Sequence, residues 1–333
     1  MKNWKETDKQ TAEYHRKIAV LAVAGICLLA GSPVMAAETE DLTLEQRVAQ
    51  LFFVTAGYQL LGSELLDLPV FIGVDEEGGR VARIANAGIM DTPHLSSMYE
   101  IGASGDPQEA YQAGKEIGVY LTELGIDTDF APVADVWSNA ENQVIGNRSF
   151  GTDSEKVAEM VTEAVRGFHD SHIRTAVKHF PGHGNTAEDS HSGFAYNYGT
   201  KEELENGEWK PFAAGIKEQS EFIMVGHICC PNIISKEIPA SLSKKLVTDV
   251  LRNEMEFNGI IITDAMDMGA VTTHYSCGEA AVQAVEAGVD MILMPENFQE
   301  AYEAVLQAVT DGRISEKRLN ESVSRILDCK KSR

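Results

Sequence analysis

The chain has 333 residues, of which 44% are hydrophobic and 24% are charged, which is typical of a globular protein with one large domain or two small ones. Acidic side chains outnumber basic ones by 51 to 28, so the formal net charge is −23 at pH 7. Such a chain repels polyanions, which excludes nucleic acid and anionic lipid as favoured partners.

The first 37 residues have the pattern of a secretory signal. Basic side chains precede an apolar run over residues 18–31, and small residues follow it. This order predicts cleavage after Ala36 or Ala37. A retained membrane anchor is the alternative, which Pro33 near the end of the run disfavours. We therefore expect a signal peptide at 1–37 and a secreted or cell-envelope protein with no stable membrane association after cleavage.

From residue 38 onward, short apolar runs rich in β-branched residues alternate with helical patterns. Seven strands are predicted, at 51–54, 70–74, 129–133, 174–179, 222–227, 259–263 and 290–294. This alternation predicts βα units around a parallel sheet. Because the sequence has no Gly-rich dinucleotide turn, it favours a TIM-type (β/α)8 barrel over an open doubly wound sheet. We expect one catalytic barrel domain at 38–333.

Helix boundaries are marked by capping residues. Asp106 and Pro107 open one helix, and Gly125 ends it. Thr152 with Glu155 predicts a capping box at the start of the next helix. Further helices are predicted from Ser243, Gly278 and Asn297, and over Ser315 to Cys329.

Polar side chains follow five of the predicted strands: Asp75, Asp135, Lys178 with His179, His227, and Asp264. The carboxyl ends of all strands in a parallel barrel meet at one face, where the active sites of such barrels lie. Five strands that end in this way are hard to explain by packing alone. The sequence therefore predicts a polar pocket at this face.

The segment 178–191, KHFPGHGNTAEDSH, contains three histidines. His179 and His183 are four residues apart, but the Pro-Gly step between them prevents the helix that would make them a metal-binding pair. Together with Asp189 and His191 they leave a zinc-dependent barrel hydrolase as an alternative. We expect neither a metal nor another cofactor.

Asp189 and His191 are separated by one residue, so an extended loop points both side chains the same way. A carboxylate beside one imidazole nitrogen fixes the tautomer and raises the imidazole pKa, and the second nitrogen then exchanges a proton near neutral pH. This arrangement predicts a general acid/base with its orienting partner. A solvated loop with an incidental histidine is the alternative.

Asp264 follows a wholly apolar strand in the context IITDAMDMGA. A carboxylate nucleophile opposite a proton donor is the arrangement of a retaining glycosidase. Asp267 is expected at a helix start instead. Four residues are predicted to bind sugar hydroxyls or an acyl oxygen: Asp75, Arg148, Lys178 and His179.

The motifs IGVDEEGGRVAR, DFAPVADV, IGNRSFG, KHFPGHG followed by DSH, and IITDAMDMGA occur here in the order seen in glycoside hydrolase family 3. The chain resembles the single-domain β-N-acetylhexosaminidase branch of that family from about Leu42 to the C terminus. The resemblance implies retaining hydrolysis of terminal β-linked N-acetylglucosamine, typically from peptidoglycan fragments. It implies Asp264 as nucleophile and His191 as acid/base, oriented by Asp189. It also implies that the sugar-binding positions are Asp75, Arg148, Lys178 and His179.

The chain departs from this family pattern between its first two strands. Only residues 55–69 fill the place of a strand and a helix, so we expect seven readable strands and a barrel that lacks one early βα unit. A degenerate, non-catalytic sugar-binding barrel is the corresponding alternative. Phosphorolysis is a further hypothesis, because a neutral imidazole repels phosphate less than a carboxylate would.

Overall fold

The structure, a computed structural model, describes residues 38–54, 70–88, 90–187 and 193–332. The predicted signal peptide at 1–37, the short segment 55–69, and both Asp189 and His191 lie outside the described residues. Within those ranges, no helix is both long and apolar enough to cross a bilayer.

The described ranges contain eleven short strands. They are β1 (Phe52–Phe53), β2 (Gly73–Val74), β3 (Glu76–Gly78), β4 (Val81–Ala82), β5 (Thr128–Asp129), β6 (Arg174–Phe180), β7 (Ala195–Tyr196), β8 (Phe222–Val225), β9 (Ile228–Cys229), β10 (Ile260–Thr263) and β11 (Ile292–Leu293). Seven of them form one parallel series in the order β2-β5-β6-β8-β10-β11-β1. These seven correspond to the seven predicted strands.

Aromatic side chains from the two ends of the series meet inside the barrel. The Phe53 ring of β1 lies 6.5 Å from that of Phe71, just before β2, and 5.3 Å from that of Phe130, just after β5. Gly73 makes room for this contact, because an added Cβ would lie 2.8 Å from the Phe53 ring. The sheet therefore curls until β1 and β2 face each other, and the predicted TIM-type barrel is confirmed. Residues 55–69, between β1 and β2, are outside the described part.

The third strand differs from its prediction. We expected it at 129–133, but β5 covers only Thr128–Asp129. Backbone pairing continues irregularly beyond β5, where Lys178 N–H donates to the Pro132 carbonyl and Val133 forms a bridge with Lys178. Proline has no N–H to donate, so a regular ladder is interrupted at this position.

Helices cover the outside of the sheet. They are α1 (Leu44–Ala49), α2 (Met98–Ser104), α3 (Pro107–Glu123), α4 (Ser154–Asp170), α5 (Lys201–Asn206), α6 (Trp209–Lys217), the π-type helix α7 (Lys245–Glu254), α8 (Gly269–Thr272), α9 (Cys277–Ala287), α10 (Phe298–Thr310) and α11 (Glu316–Lys331). Three 3₁₀ turns lie at Thr39–Asp41, Gly146–Arg148 and Ala240–Leu242. Neighbouring helices pack in pairs, α3 against α4, α4 against α6, and α9 against α10.

The helix starts follow the predicted residues in three cases, whereas α7 and α9, predicted from Ser243 and Gly278, begin at Lys245 and Cys277. Asp106 caps α3, Asn297 caps α10 and Ser315 caps α11, as predicted. The predicted Thr152 cap is wrong, because Asp153 caps α4 and accepts hydrogen bonds from the N–H groups of Glu155 and Lys156. A carboxylate at this position also interacts favourably with the positive end of the helix dipole.

Candidate active site

Asp264 lies directly after β10, at the carboxyl-terminal face of the barrel. Its N–H donates to the Val225 carbonyl of β8 at 2.9 Å, and its Oδ1 accepts from Ala265 N–H at 2.8 Å. The N-cap of α8 is Met268 and has no side-chain capping bond, so Asp264 is not a helix cap. Asp267, which we expected at a helix start, does not cap this helix either.

The surroundings of Asp264 favour its ionised form. Burial acts to raise the pKa of this carboxyl, but the polar groups around it, among them the Ala265 N–H and the Lys178 ammonium, outweigh burial, and the pKa is lowered from its ordinary value. A carboxylate that is negative at neutral pH is the form a nucleophile requires.

The sequence DEEGG forms a tight hairpin that presents Asp75 and Glu77 to the site. Strands β3 and β4 pair in antiparallel fashion, and Gly78 and Gly79 have φ angles of 92° and 55° at the bend. Such positive angles favour glycine over residues with a Cβ. Asp75 and Glu77 are two residues apart, so extended backbone points them the same way. Both reach Lys178, whose Nζ lies 2.6 Å from Asp75 Oδ1 and 2.6 Å from Glu77 Oε1.

Glu77 also binds Arg148 through two parallel hydrogen bonds. Arg148 Nε donates to Oε2 at 2.8 Å, and Nη2 donates to Oε1 at 2.7 Å. The Glu77 side chain is 1% exposed. Burial acts to raise its pKa, but the Lys178 ammonium and the Arg148 guanidinium hold it well below the usual range. Glu77 therefore holds Arg148 and Lys178, two of the predicted sugar-binding residues, next to each other.

Asp135 orients the His179 ring. His179 Nδ1 lies 2.7 Å from Asp135 Oδ2, and the backbone N–H of His179 also points to this carboxylate. The His179 contact acts against burial and lowers the pKa of Asp135, so the carboxylate is an acceptor only. The Nδ1 atom therefore carries the proton, and Nε2 accepts from Arg148 Nη2 at 3.4 Å.

The loop after β6 is held by side chains from several other loops. Trp209 Nε1 donates to the Pro181 carbonyl, Asn197 to the Gly182 carbonyl, and Asn142 to the His183 carbonyl. Within the loop, His183 N–H donates to Asp135 Oδ1 at 2.7 Å, and His183 Nδ1 lies 2.8 Å from Thr186 Oγ1. His183 is buried, which lowers its pKa, and it supports the loop that leads to the predicted acid/base.

His227 holds the backbone next to Asp264. Its Nε2 donates to the Ala265 carbonyl at 2.9 Å, and its Nδ1 accepts from Ser241 Oγ at 2.8 Å. A carbonyl only accepts, so this pairing assigns the proton to Nε2. Burial lowers the pKa of His227 below its ordinary value and favours the neutral ring.

The structure brings together the four predicted sugar-binding residues, Asp75, Arg148, Lys178 and His179. Two of them, His179 and Lys178, also influence the pKa of Asp264. Asp189 and His191 lie outside the described residues, and their roles stay predictions. In the part of the chain that the structure covers, no group of three or more His, Cys, Asp or Glu side chains is arranged to hold a metal ion.

Glu77 had no predicted role, although its spacing from Asp75 indicated that it faces the same site. Glu77 follows Asp75 by two residues, which is the spacing that places side chains on one side of an extended segment. Asp135 was recognised as a strand-end residue, but its partner His179 is 44 positions away. No local pattern predicts such a pairing.

The family is decided by comparison with known proteins. The model of the glycosyl hydrolase family 3 N-terminal domain matches residues 4–329. The chain belongs to this family. The predicted resemblance to glycoside hydrolase family 3 is thereby confirmed.

Relatives within the family carry hexosaminidase names. A β-hexosaminidase from Stenotrophomonas maltophilia (strain K279a) is 37% identical over 245 residues, covering 71% of this chain and 71% of the relative. β-Hexosaminidase A from Pseudoalteromonas piscicida is 31% identical over 309 residues, covering 86% of this chain and 51% of the relative. The structure of a family 3 β-N-acetylglucosaminidase from Paenibacillus sp. str. FPU-7 is 36% identical, with a TM-score of 0.80 over 87% of this chain and 62% of that chain. The chain thus spans about half of the Pseudoalteromonas relative.

Proposed function

We propose that the chain is a secreted, retaining β-N-acetylhexosaminidase that hydrolyses terminal β-linked N-acetylglucosamine. The observation that carries this proposal is the position of Asp264, a carboxylate with a lowered pKa that directly follows β10 at the face where β6 ends in Lys178 and His179. Family membership and the names of the relatives support it.

In the first step, Asp264 attacks the anomeric carbon and forms a covalent glycosyl-enzyme. Ala265 N–H holds Oδ1, which leaves Oδ2 as the attacking oxygen. His191, oriented by Asp189, donates a proton to the leaving oxygen. His191 then removes a proton from water, which attacks the same carbon and releases the sugar with its configuration retained.

The four sugar-binding residues orient the ring during these steps. Asp75 has a side chain that is 36% exposed, so its carboxylate is accessible to sugar hydroxyls while Lys178 holds it in place. Lys178 and His179 at the end of β6, and Arg148 in the 3₁₀ turn at Gly146–Arg148, supply donors or acceptors. Because Glu77 and Asp135 fix these groups before substrate arrives, little reorganisation is needed on binding.

The nucleophile is tested with Asp264→Ala, and Asp267→Ala is the matched control three residues further on. The first variant should lose release of the leaving group from an aryl β-N-acetylglucosaminide, and the control should retain it. Unchanged turnover by Asp264→Ala refutes the assignment.

The covalent step has its own test. With a 5-fluoro N-acetylglucosaminyl fluoride, a carboxylate oxygen of Asp264 should bond to the anomeric carbon while fluoride ion leaves into solvent. The resulting glycosyl ester should be hydrolysed slowly by water. Intact-mass measurement should show one added sugar, and digestion should place it on the peptide that contains Asp264. Label on another carboxylate would assign the nucleophile elsewhere.

We propose that peptidoglycan fragments supply the terminal N-acetylglucosamine and that the chain acts outside the cell or in the envelope. The signal-like pattern at 1–37 supports the location. Expression in a bacterial host with cell fractionation should give a mature N terminus near residue 38 outside the cytoplasm. A full-length product in the cytoplasmic fraction contradicts this location.

A further inference from the structure

Four aromatic side chains form a row on the loops beside the candidate site. We name the row of His274, Phe194, Tyr196 and Tyr198 the aromatic strip. The His274 and Phe194 rings stack at 4.0 Å with 8° between their planes, and the Tyr196 and Tyr198 rings stack at 5.8 Å with 15°. The edge-to-face contact of Phe194 with Tyr196 at 6.4 Å joins the two stacks.

The aromatic strip is continuous with the carboxyl-terminal face of the barrel. Phe194 directly precedes β7, and Tyr196 belongs to it. Strand β7 pairs with β9, which begins directly after His227. His227 in turn holds Ala265, next to the proposed nucleophile Asp264. His274 follows α8 on the loop after β10. The aromatic strip therefore rests on loops that follow three neighbouring strands, β6, β8 and β10. Lys178 and His179 lie on β6, and Asp264 directly follows β10.

Both ends of the aromatic strip face solvent. Tyr198 is 62% exposed, and Asn232 Nδ2 donates to its backbone carbonyl, which fixes the position of the residue. His274 is exposed as well. Packing within the core does not explain rings in such positions. Tyrosine combines an apolar face with a hydroxyl, and tyrosines are enriched at recognition surfaces for this reason.

The charge beside the aromatic strip limits what it binds. The Tyr196 hydroxyl donates to the carboxylate of Glu237, which is itself exposed, and the chain has a formal net charge of −23. A carboxylate placed directly against the aromatic strip is repelled by this field. A neutral pyranose ring is not, and it offers C–H groups to the aromatic faces and hydroxyls to Glu237.

We propose that the aromatic strip binds neutral sugar rings of the aglycone, beyond the bond that is cleaved. This inference rests on the proposed glycosidase function and names the part of the substrate that the enzyme recognises besides the terminal sugar. The enzyme then prefers an oligosaccharide to a terminal sugar that carries only a small aryl group.

Kinetics on two substrates tests the proposal. Tyr198→Ala should raise KM for N,N′,N″-triacetylchitotriose about fivefold, the effect of losing one ring stack, and should leave kcat/KM for the aryl N-acetylglucosaminide unchanged. Tyr198→Phe, which keeps the ring, should behave as the parent. Tyr111→Ala, a loss of tyrosine on the outer helix α3, serves as control for general damage. Equal effects of Tyr198→Ala on both substrates, or no effect on either, overturn the proposal.

A binding measurement separates this proposal from the proposed function. Calorimetry with the Asp264→Asn variant should give a dissociation constant for triacetylchitotriose. Adding Tyr198→Ala to this variant should raise that constant about fivefold, whether or not the parent hydrolyses the trisaccharide. A parent that cleaves neither substrate refutes the hydrolase function alone. A dissociation constant that is unchanged by Tyr198→Ala refutes the aromatic strip alone.

Discussion

Glu77 offers the sharpest test of how the site is built. Its carboxylate lies between the cations Arg148 and Lys178, and its side chain is 1% exposed. Glu77→Gln keeps the shape of the side chain and removes the charge. In either orientation the amide NH₂ of glutamine faces an N–H donor of Arg148, and in one orientation it also faces Lys178, so a donor meets a donor.

The magnitude follows from the bonds that are lost. Glu77 accepts three charge-assisted contacts between 2.6 and 2.8 Å, two from Arg148 and one from Lys178. Removing one member of a buried ion network costs about 3–5 kcal/mol, because the partner charges stay buried without compensation. A native domain is stable by roughly 5–15 kcal/mol, so we expect Glu77→Gln to fold with a clearly lower free energy of unfolding. Arg148 and Lys178 lose their fixed positions, so kcat/KM for the aryl substrate should fall about 100-fold or more.

Urea unfolding gives the first quantity and initial rates give the second. Glu316→Gln is the control, because Glu316 pairs with Arg47 while its side chain is 68% exposed, and such a pair contributes about 1 kcal/mol or less. The pKa of Glu77 is held well below the ordinary value of 4.5, so its stabilisation is present above that pH and is lost only as the pH falls further. The difference from the parent should therefore be constant near neutral pH and shrink in acid. If the two variants lose equal stability, Glu77 does not organise the site as we infer.

Three further predictions concern the acid/base, a second buried carboxyl and the competing reactions. His191→Ala should lose less activity on aryl substrates with good leaving groups than on those with poor ones, because the former need little protonation; equal losses contradict the proton-donor role. Burial raises the pKa of Glu208 from 4.5 to about 7, so the free energy of unfolding of the parent should fall by about 3 kcal/mol as the pH rises through that interval. In urea unfolding, Glu208→Gln should remove most of this fall, and a variant whose stability changes with pH as the parent's does disproves the prediction. Chelators should leave turnover unchanged, and reactions in phosphate buffer should yield no sugar 1-phosphate; loss of activity supports the zinc hydrolase, and the phosphate ester supports phosphorolysis.

Several features could be predicted from the sequence because they depend on residues close together in the chain. They are the alternation of strands and helices and the motifs at the strand ends, besides the acidic composition. Runs of four to six residues built around apolar side chains predicted all seven strands of the parallel series, and Asp264 was recognised as a carboxylate after such a run. The Asp106 cap was predicted for the same reason, since a cap bonds to residues two or three positions away. The Thr152 cap was missed by one position because two adjacent residues, Thr152 and Asp153, both fit the pattern.

By itself, the sequence determined the barrel class, the family motifs and the identity of the proposed nucleophile. Only the tertiary structure decided that Glu77 joins Arg148 to Lys178, which are 71 and 101 positions further along the chain, and that Phe194 stacks on His274. These contacts form because barrel closure brings the ends of distant strands to one face, where a few ångströms decide which charges and rings meet. Local patterns in a sequence specify strands and caps, whereas closure of the sheet specifies their partners.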